Sequence, residues 1–241
     1  MAARRQIVLD TETTGLKPED GNRVVEIACI ELIDKVETGR TYQVYLNPER
    51  DSEPRALAIH GLTSEFLKTK RKFAEEADEF LAFIEGAELL IHNAKFDIKF
   101  LNFELDRANK GNLWGYISNV ICTMELDKRL FSDERKHSLD AICERFGIST
   151  EGRDLHGALI DTKLLTEVYL EINKRFSEED IEADLEQTNW VRDPVKRFSI
   201  SLNKIKTTEA EESGHLAILE NIKKVESVEP IFLKAAAALK M

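Results

Sequence analysis

An α/β fold built on a mixed sheet flanked by helices is predicted by three features of this 241-residue chain. Short apolar runs with strand character alternate with segments whose apolar residues recur at helical spacing. The first three strand patterns are separated only by turns, which predicts a meander. From Ser64 onward strands and helices alternate, which sets helices against the sheet.

Gln6 to Asp10 reads as a buried strand and runs into the turn-forming Thr13-Thr14-Gly15. Val24 to Ile33 is a second apolar run, and Thr41 to Leu46 a third. From Ser64 the spacing becomes helical, with Phe73, Ala77, Phe80, Leu81 and Ile84 on one face and Gly86 as the stop. Ala87 to Ile91 is a short buried strand. Three helices follow: Ala94 to Leu105, where Phe96, Phe100, Leu101 and Phe103 cluster, then Leu139 to Phe146, then Ala158 to Ile172, which carries Leu164, Leu165, Val168 and Tyr169. A first domain is expected over residues 1–175. The acid-dense Ser177-Glu-Glu-Asp-Ile-Glu-Ala-Asp-Leu-Glu186 predicts a solvated linker, set at 176–198. In the last segment, 199–241, Ser199 to Leu202 alternates like a strand, and Leu216, Leu219, Ile222 and Val225 recur at helical spacing. That segment is too short to bury a core of its own, so its apolar residues need another surface.

Composition narrows the function classes. A hydrophobic fraction of 42% and a charged fraction of 33% are those of an ordinary water-soluble protein, and no run is long enough to span a bilayer. The N-terminus passes from Arg4-Arg5 straight into a strand with no apolar signal core, so a cytoplasmic location is expected. Cys29, Cys122 and Cys143 are odd in number and far apart, which speaks for buried filler rather than a disulfide framework or a four-cysteine zinc site. The net charge of −11 argues against a protein that holds duplex DNA alone through a broad basic face. Phosphate binding must instead be local, through carboxylate-bound cations, or shared with a partner.

Three acidic pieces carry the chemistry. In Asp10-Thr-Glu12 the strand period of two points both carboxylates to one face, where they can share a cation. Hard oxygen ligands with room for water and phosphate suit Mg²⁺ or Mn²⁺ better than zinc. Alone, the same motif is also the composition of a solvated turn. The following Thr13-Thr14-Gly15 can approach a phosphate closely. Asp97, in His92-Asn-Ala-Lys-Phe-Asp97, lies near a helix start, where the dipole favours a carboxylate and where acids also serve as ordinary caps. In His156-Gly-Ala-Leu-Ile-Asp161 a spacing of five would split the two side chains around a continuous helix, so His156 is expected to precede it. The pair can then face one cleft, the aspartate as metal ligand and the histidine as a base suited to neutral pH.

Together these residues resemble the DEDD exonucleases with a histidine base. Val8-Leu-Asp-Thr-Glu-Thr-Thr-Gly-Leu16, Ile91-His-Asn-Ala-Lys-Phe-Asp97 and Leu155-His-Gly-Ala-Leu-Ile-Asp161 stand in the family's order. Ile59-His-Gly-Leu-Thr63, Phe73-Ala-Glu-Glu-Ala-Asp-Glu-Phe80 and His137-Ser-Leu-Asp-Ala-Ile-Cys143 narrow the resemblance to the epsilon-type proofreading subunits of bacterial replicative polymerases, over roughly residues 5–174. The resemblance implies a ribonuclease-H-like fold and hydrolysis of single-stranded DNA from its 3′ end with two divalent cations. It implies that Asp10, Glu12, Asp97 and Asp161 hold the metals and that His156 is the general base. Thr13, Thr14, Gly15 and Leu16 would hold the terminal nucleotide, with His60 and Asn93 nearby, although the last two also fit as a turn residue and a helix cap. Segment 199–241 would bind the polymerase catalytic (alpha) subunit, Gln187-Thr-Asn-Trp190 stands where a sliding-clamp peptide occurs, and a small theta-like subunit is a further implied partner. A free-standing DEDD nuclease that trims RNA or oligonucleotides keeps the same chemistry and is the alternative. A non-catalytic platform is disfavoured because all five chemical positions are present.

Overall fold

The computed structural model describes residues 3–151, 155–177 and Ile181. Five strands form one sheet: β1 (Arg5–Thr13), β2 (Val24–Ile33), β3 (Val36–Tyr45), β4 (Glu88–Ile91) and β5 (Asn119–Cys122). Their order is β3-β2-β1-β4-β5. β1, β2 and β3 pair antiparallel as the expected meander, whereas β4 and β5 add to β1 in parallel. Among the described residues seven α-helices accompany them: α1 (Pro54–His60), α2 (Ser64–Lys68), α3 (Phe73–Ile84), α4 (Ala94–Arg107), α5 (Thr123–Leu130), α6 (Leu139–Phe146) and α7 (Ala158–Arg175).

Strand alternation divides the core. Ile7, Leu9, Ile27, Cys29, Leu89 and Ile91 face α3 and α4, where Phe80, Ile84, Phe100 and Leu101 cover them. Val8, Ile30, Leu32, Leu90 and Ile121 face the other way, against Leu126, Ile142, Leu165, Val168 and Tyr169 of α5, α6 and α7. Both faces of the central strands are therefore dry, which is why their sequences read as continuous apolar runs. Ile181, beyond the end of α7, is buried in the second cluster. All three cysteines are free and buried, as their sequence setting suggests.

Several elements depart from the sequence expectation. The helix expected from Ser64 is two helices. Thr69 closes α2 by donating its hydroxyl to Phe66 C=O, and Lys72 N–H donates to Glu75 Oε2 to open α3. The third strand begins at Val36 rather than Thr41, because its outer residues are exposed and carry no apolar alternation. It is held there by backbone pairing with β2 and by Thr38 and Arg40 donating to Glu31. α1, β5 and α5 were not anticipated. The expected linker at 176–198 falls largely, and the strand at 199–202, the helix near 209–225 and Gln187–Trp190 fall wholly, outside the described residues. Among the described residues no helix is long and apolar enough to cross a membrane.

Candidate active site

The parallel strands β1 and β4 end at the same edge of the sheet, where α4 begins and where the first turn of α7 arrives. Crevices outside the carboxyl ends of parallel strands are the usual ligand sites of such sheets. Alternation along β1 sends Asp10 and Glu12 to the α7 face with Val8, and Thr11 to the α4 face with Leu9. Asp161 lies in the first turn of α7, its N–H donating to Gly157 C=O at 3.0 Å. One carboxylate oxygen from each of Asp10, Glu12 and Asp161 lies within 4.8 Å of the others.

Asp97 is not part of that trio at this separation. It approaches from the opposite side of β1, is 3% exposed, and accepts a 2.6 Å hydrogen bond from the Thr11 hydroxyl. Its charge still reaches Asp10. Burial first, and then the charges of Asp97, Glu12, Asp161 and Glu26, push the Asp10 carboxyl well above the ordinary carboxylate range. Burial pushes Asp97 up to about 7, against the pull of the Thr11 hydroxyl and of backbone N–H groups. The stabilisation expected at a helix start is thus outweighed by desolvation. Such a concentration of buried like charge costs stability unless a cation offsets it, and oxygen donors alone match Mg²⁺ or Mn²⁺. The residues fit a divalent metal.

His156 precedes α7, as its spacing from Asp161 predicted. Its Nδ1 lies 3.1 Å from Asp161 Oδ2, and its side chain is 43% exposed, open to an incoming water or phosphate. Of the residues expected to bind nucleotide, Thr13 and Thr14 are buried, and their hydroxyls shape the turn. Thr13 donates to Gly15 C=O, while Thr14 donates to Asn22 and accepts from Arg23 N–H. A side chain on Gly15 would strike the carboxylate of Glu53 and the amide of Asn22. Leu16 is 75% exposed at the tip of this turn. His60 is buried at the end of α1 and accepts at Nδ1 from Leu62 N–H, so the neutral ring carries its proton on Nε2. That nitrogen is buried without a partner in good geometry, though it lies toward the Thr13 backbone, which partly offsets the fall in pKa caused by burial. Asn93 takes the left-handed conformation (φ 59°) before α4 and is exposed, with no capping bond from its side chain.

Three supporting residues were missed. Glu26 is buried on β2 opposite Glu12 and accepts from Ala158 N–H at the start of α7 and from Gln43. It ties the helix that carries Asp161 to the sheet that carries Asp10 and Glu12. Its signal was an acid in the middle of the apolar run Val24-Val25-Glu26-Ile27-Ala28, a placement that needs partners. Arg23 and Glu104 form a two-pronged pair at 2.6 and 2.7 Å that anchors α4 to the start of β2.

Comparison with known proteins agrees with this geometry. Residues 7–169 match the family described as Exonuclease. The DNA polymerase III subunit epsilon of Rickettsia felis is 43% identical over 93% of this chain and 99% of its own length. That of Escherichia coli is 37% identical over 92% of this chain and 95% of its own. Among solved structures, E. coli exonuclease I in complex with a dA16 oligonucleotide superposes with a TM-score of 0.66 at 16% identity, covering 75% of this chain and 42% of that one. Exonuclease X in complex with 5′ overhanging duplex DNA gives 0.54 at 24% identity, covering 75% of this chain and 99% of that one. At these identities the structures speak for the fold alone. The family match and the epsilon relatives, by contrast, extend over most of the sequence, and this chain belongs to the exonuclease family and, within it, to the epsilon subunits of DNA polymerase III.

Proposed function

We propose that this chain is a proofreading 3′→5′ exonuclease that hydrolyses the terminal phosphodiester bond of single-stranded DNA with two divalent cations, Mg²⁺ or Mn²⁺. The carrying observation is the meeting of the Asp10, Glu12 and Asp161 carboxylates, with His156 in hydrogen-bond reach of Asp161, on an exonuclease framework.

Asp10, Glu12 and Asp161 hold the metal charge on the α7 face, and Asp97 adds its carboxylate from the α4 face. When bound, the cations activate water and neutralise charge on the scissile phosphate and leaving oxygen. His156 is the general base. With Nδ1–H donating to Asp161 Oδ2, the neutral ring keeps its lone pair on Nε2, which takes the proton of the attacking water. Water oxygen bonds to phosphorus, the bond to the 3′ oxygen breaks, and a nucleoside 5′-monophosphate leaves a strand shorter by one residue. The turn at Thr13–Leu16 presents backbone and the exposed Leu16 to the terminal nucleotide, and its buried hydroxyls keep that turn in shape, beside His60 and Asn93.

The deciding assay is digestion of 5′-labelled single-stranded DNA and of the matching RNA, with Mg²⁺ and with chelator. A metal-dependent ladder shortening DNA from its 3′ end, with RNA spared, is expected. Preference for RNA would instead favour an oligoribonucleotide-trimming enzyme.

Segment 199–241, joined by the linker at 176–198 to the exonuclease domain at 1–175, is the contact for the polymerase catalytic subunit. The similarity to the epsilon subunits supports this, since it covers 231 residues whereas the exonuclease match ends at 169. The sliding clamp, through Gln187–Trp190, and a theta-like subunit complete the proposed partners. Deleting residues 187–241 is expected to abolish co-purification with the catalytic subunit while leaving cleavage of short single strands intact. Loss of that cleavage would place the tail in the catalytic domain.

A further inference from the structure

His156 sits in a loop, so something outside its own element must set its position. On its C-terminal side, Glu26 accepts from Ala158 N–H. On its N-terminal side the contact is with the end of α1, a helix that contributes no acid to the site. His156 N–H donates to Ile59 C=O at 3.0 Å. Leu155, the residue before it, lies over Gly61, where an added Cβ would come within 2.5 Å of Leu155 Cδ1. Gly61 closes α1 with φ 69° and its N–H on Leu57 C=O. A left-handed cap of this kind also accepts Asn, so the cap alone does not demand glycine. An added Cβ would instead push the end of the Leu155 side chain off this cap. Leu155 is 49% exposed and Ile59 48%, so burial in the core is not what fixes the loop.

We propose that Ile59–Gly61 forms a seat, a backbone acceptor beside a glycine notch, that receives Leu155 and thereby holds His156 against Asp161 in its reactive position. Gly61 and Leu155 are positioning residues that act through the histidine. The proposal rests on His156 serving as the base. A reacting group misplaced by about 1 Å can cost roughly a hundredfold in rate, so filling the notch has a measurable consequence.

The test is a set of variants assayed on single-stranded DNA as full chains. Gly61→Asn, whose side chain tolerates the left-handed conformation, is expected to lower kcat by about tenfold to a hundredfold, with KM and the metal concentration for half-maximal rate unchanged. Leu155→Ala is expected to lose several-fold. The double variant should match Leu155→Ala, because the introduced amide side chain no longer has a leucine to displace. In a His156→Ala background Gly61→Asn should cost nothing further. In the metal-free protein the imidazole resonances of His156 should shift in Gly61→Asn and move back in the double variant, a readout that needs no activity.

A wild-type kcat in Gly61→Asn, or a loss that persists undiminished without His156, overturns the seat. If Gly61→Asn does not fold, an unchanged kcat and unmoved His156 resonances in Leu155→Ala overturn it equally. Wild-type kcat in His156→Ala alone would refute the base assignment, and the imidazole resonances would still report whether the seat places the side chain.

Discussion

Asp10→Asn is expected to remove metal-dependent cleavage, by at least about a thousandfold, while making the metal-free protein more stable. Metal catalysis of this kind supplies several kcal/mol to the transition state, and each 1.36 kcal/mol is tenfold in rate. Losing the carboxylate that feels the charge of four other acids removes most of that. The gain in stability comes from the same crowding. Asp10 is pushed well above its ordinary range by burial and by four neighbouring carboxylates, so its charged form opposes folding. Asp97, raised to about 7, gives the pH window. In the unfolded chain an aspartate titrates near 3.9, so between about pH 4 and 7 the folded state binds more protons than the unfolded one. Stability therefore falls as pH rises through that window. Thermal unfolding of the metal-free protein should show this decline, and it should be shallower in Asp97→Asn, where Thr11 keeps an oxygen to donate to and Asp10 still titrates. Added Mg²⁺ should raise the melting temperature more at pH 8 than at pH 5.5, because it binds the ionised site of the folded state. A pH-independent melting temperature without metal, or full activity in Asp10→Asn, would refute the reading of these acids as a cation site.

The sheet and the acids were legible in the sequence for the same reason. Apolar runs mark β1, β2 and β4 as strands, and the strand period of two then places Asp10 and Glu12 together and Thr11 opposite. The position of His156 before α7 followed from a spacing of five, which one helix face cannot accommodate. What was not legible depends on contacts far apart in sequence. The exposed first half of edge strand β3 and the short β5 leave no periodic signal, since one lies in solvent and the other has four residues. The direction of the Thr13 and Thr14 hydroxyls is decided by Asn22, Arg23 and the turn itself, partners that a motif does not display. The burial of Asp97 depends on its packing beside Thr11, so a helix-start rule predicted a stabilised charge where desolvation prevails. Glu26 was visible as an anomaly, a charge inside an apolar strand, but its partner Ala158 lies in another element.

His156→Ala is expected to slow turnover by about a hundredfold to ten-thousandfold, the range lost with a general base, with little change in metal affinity. The separation of these two effects follows from the geometry. His156 reaches the acid cluster through Asp161, at 3.1 Å, and its side chain is substantially exposed. Removing it leaves the carboxylates of Asp10, Glu12 and Asp97 in place. His156→Gln tests the chemistry further, because an amide can still donate to Asp161 yet cannot accept the proton of water at neutral pH. The glutamine variant should therefore be as slow as the alanine variant, and raising the pH should speed both, as hydroxide replaces the missing base. If glutamine restores the rate, the histidine serves to orient Asp161 rather than to move a proton, and water activation would rest with the metal site alone.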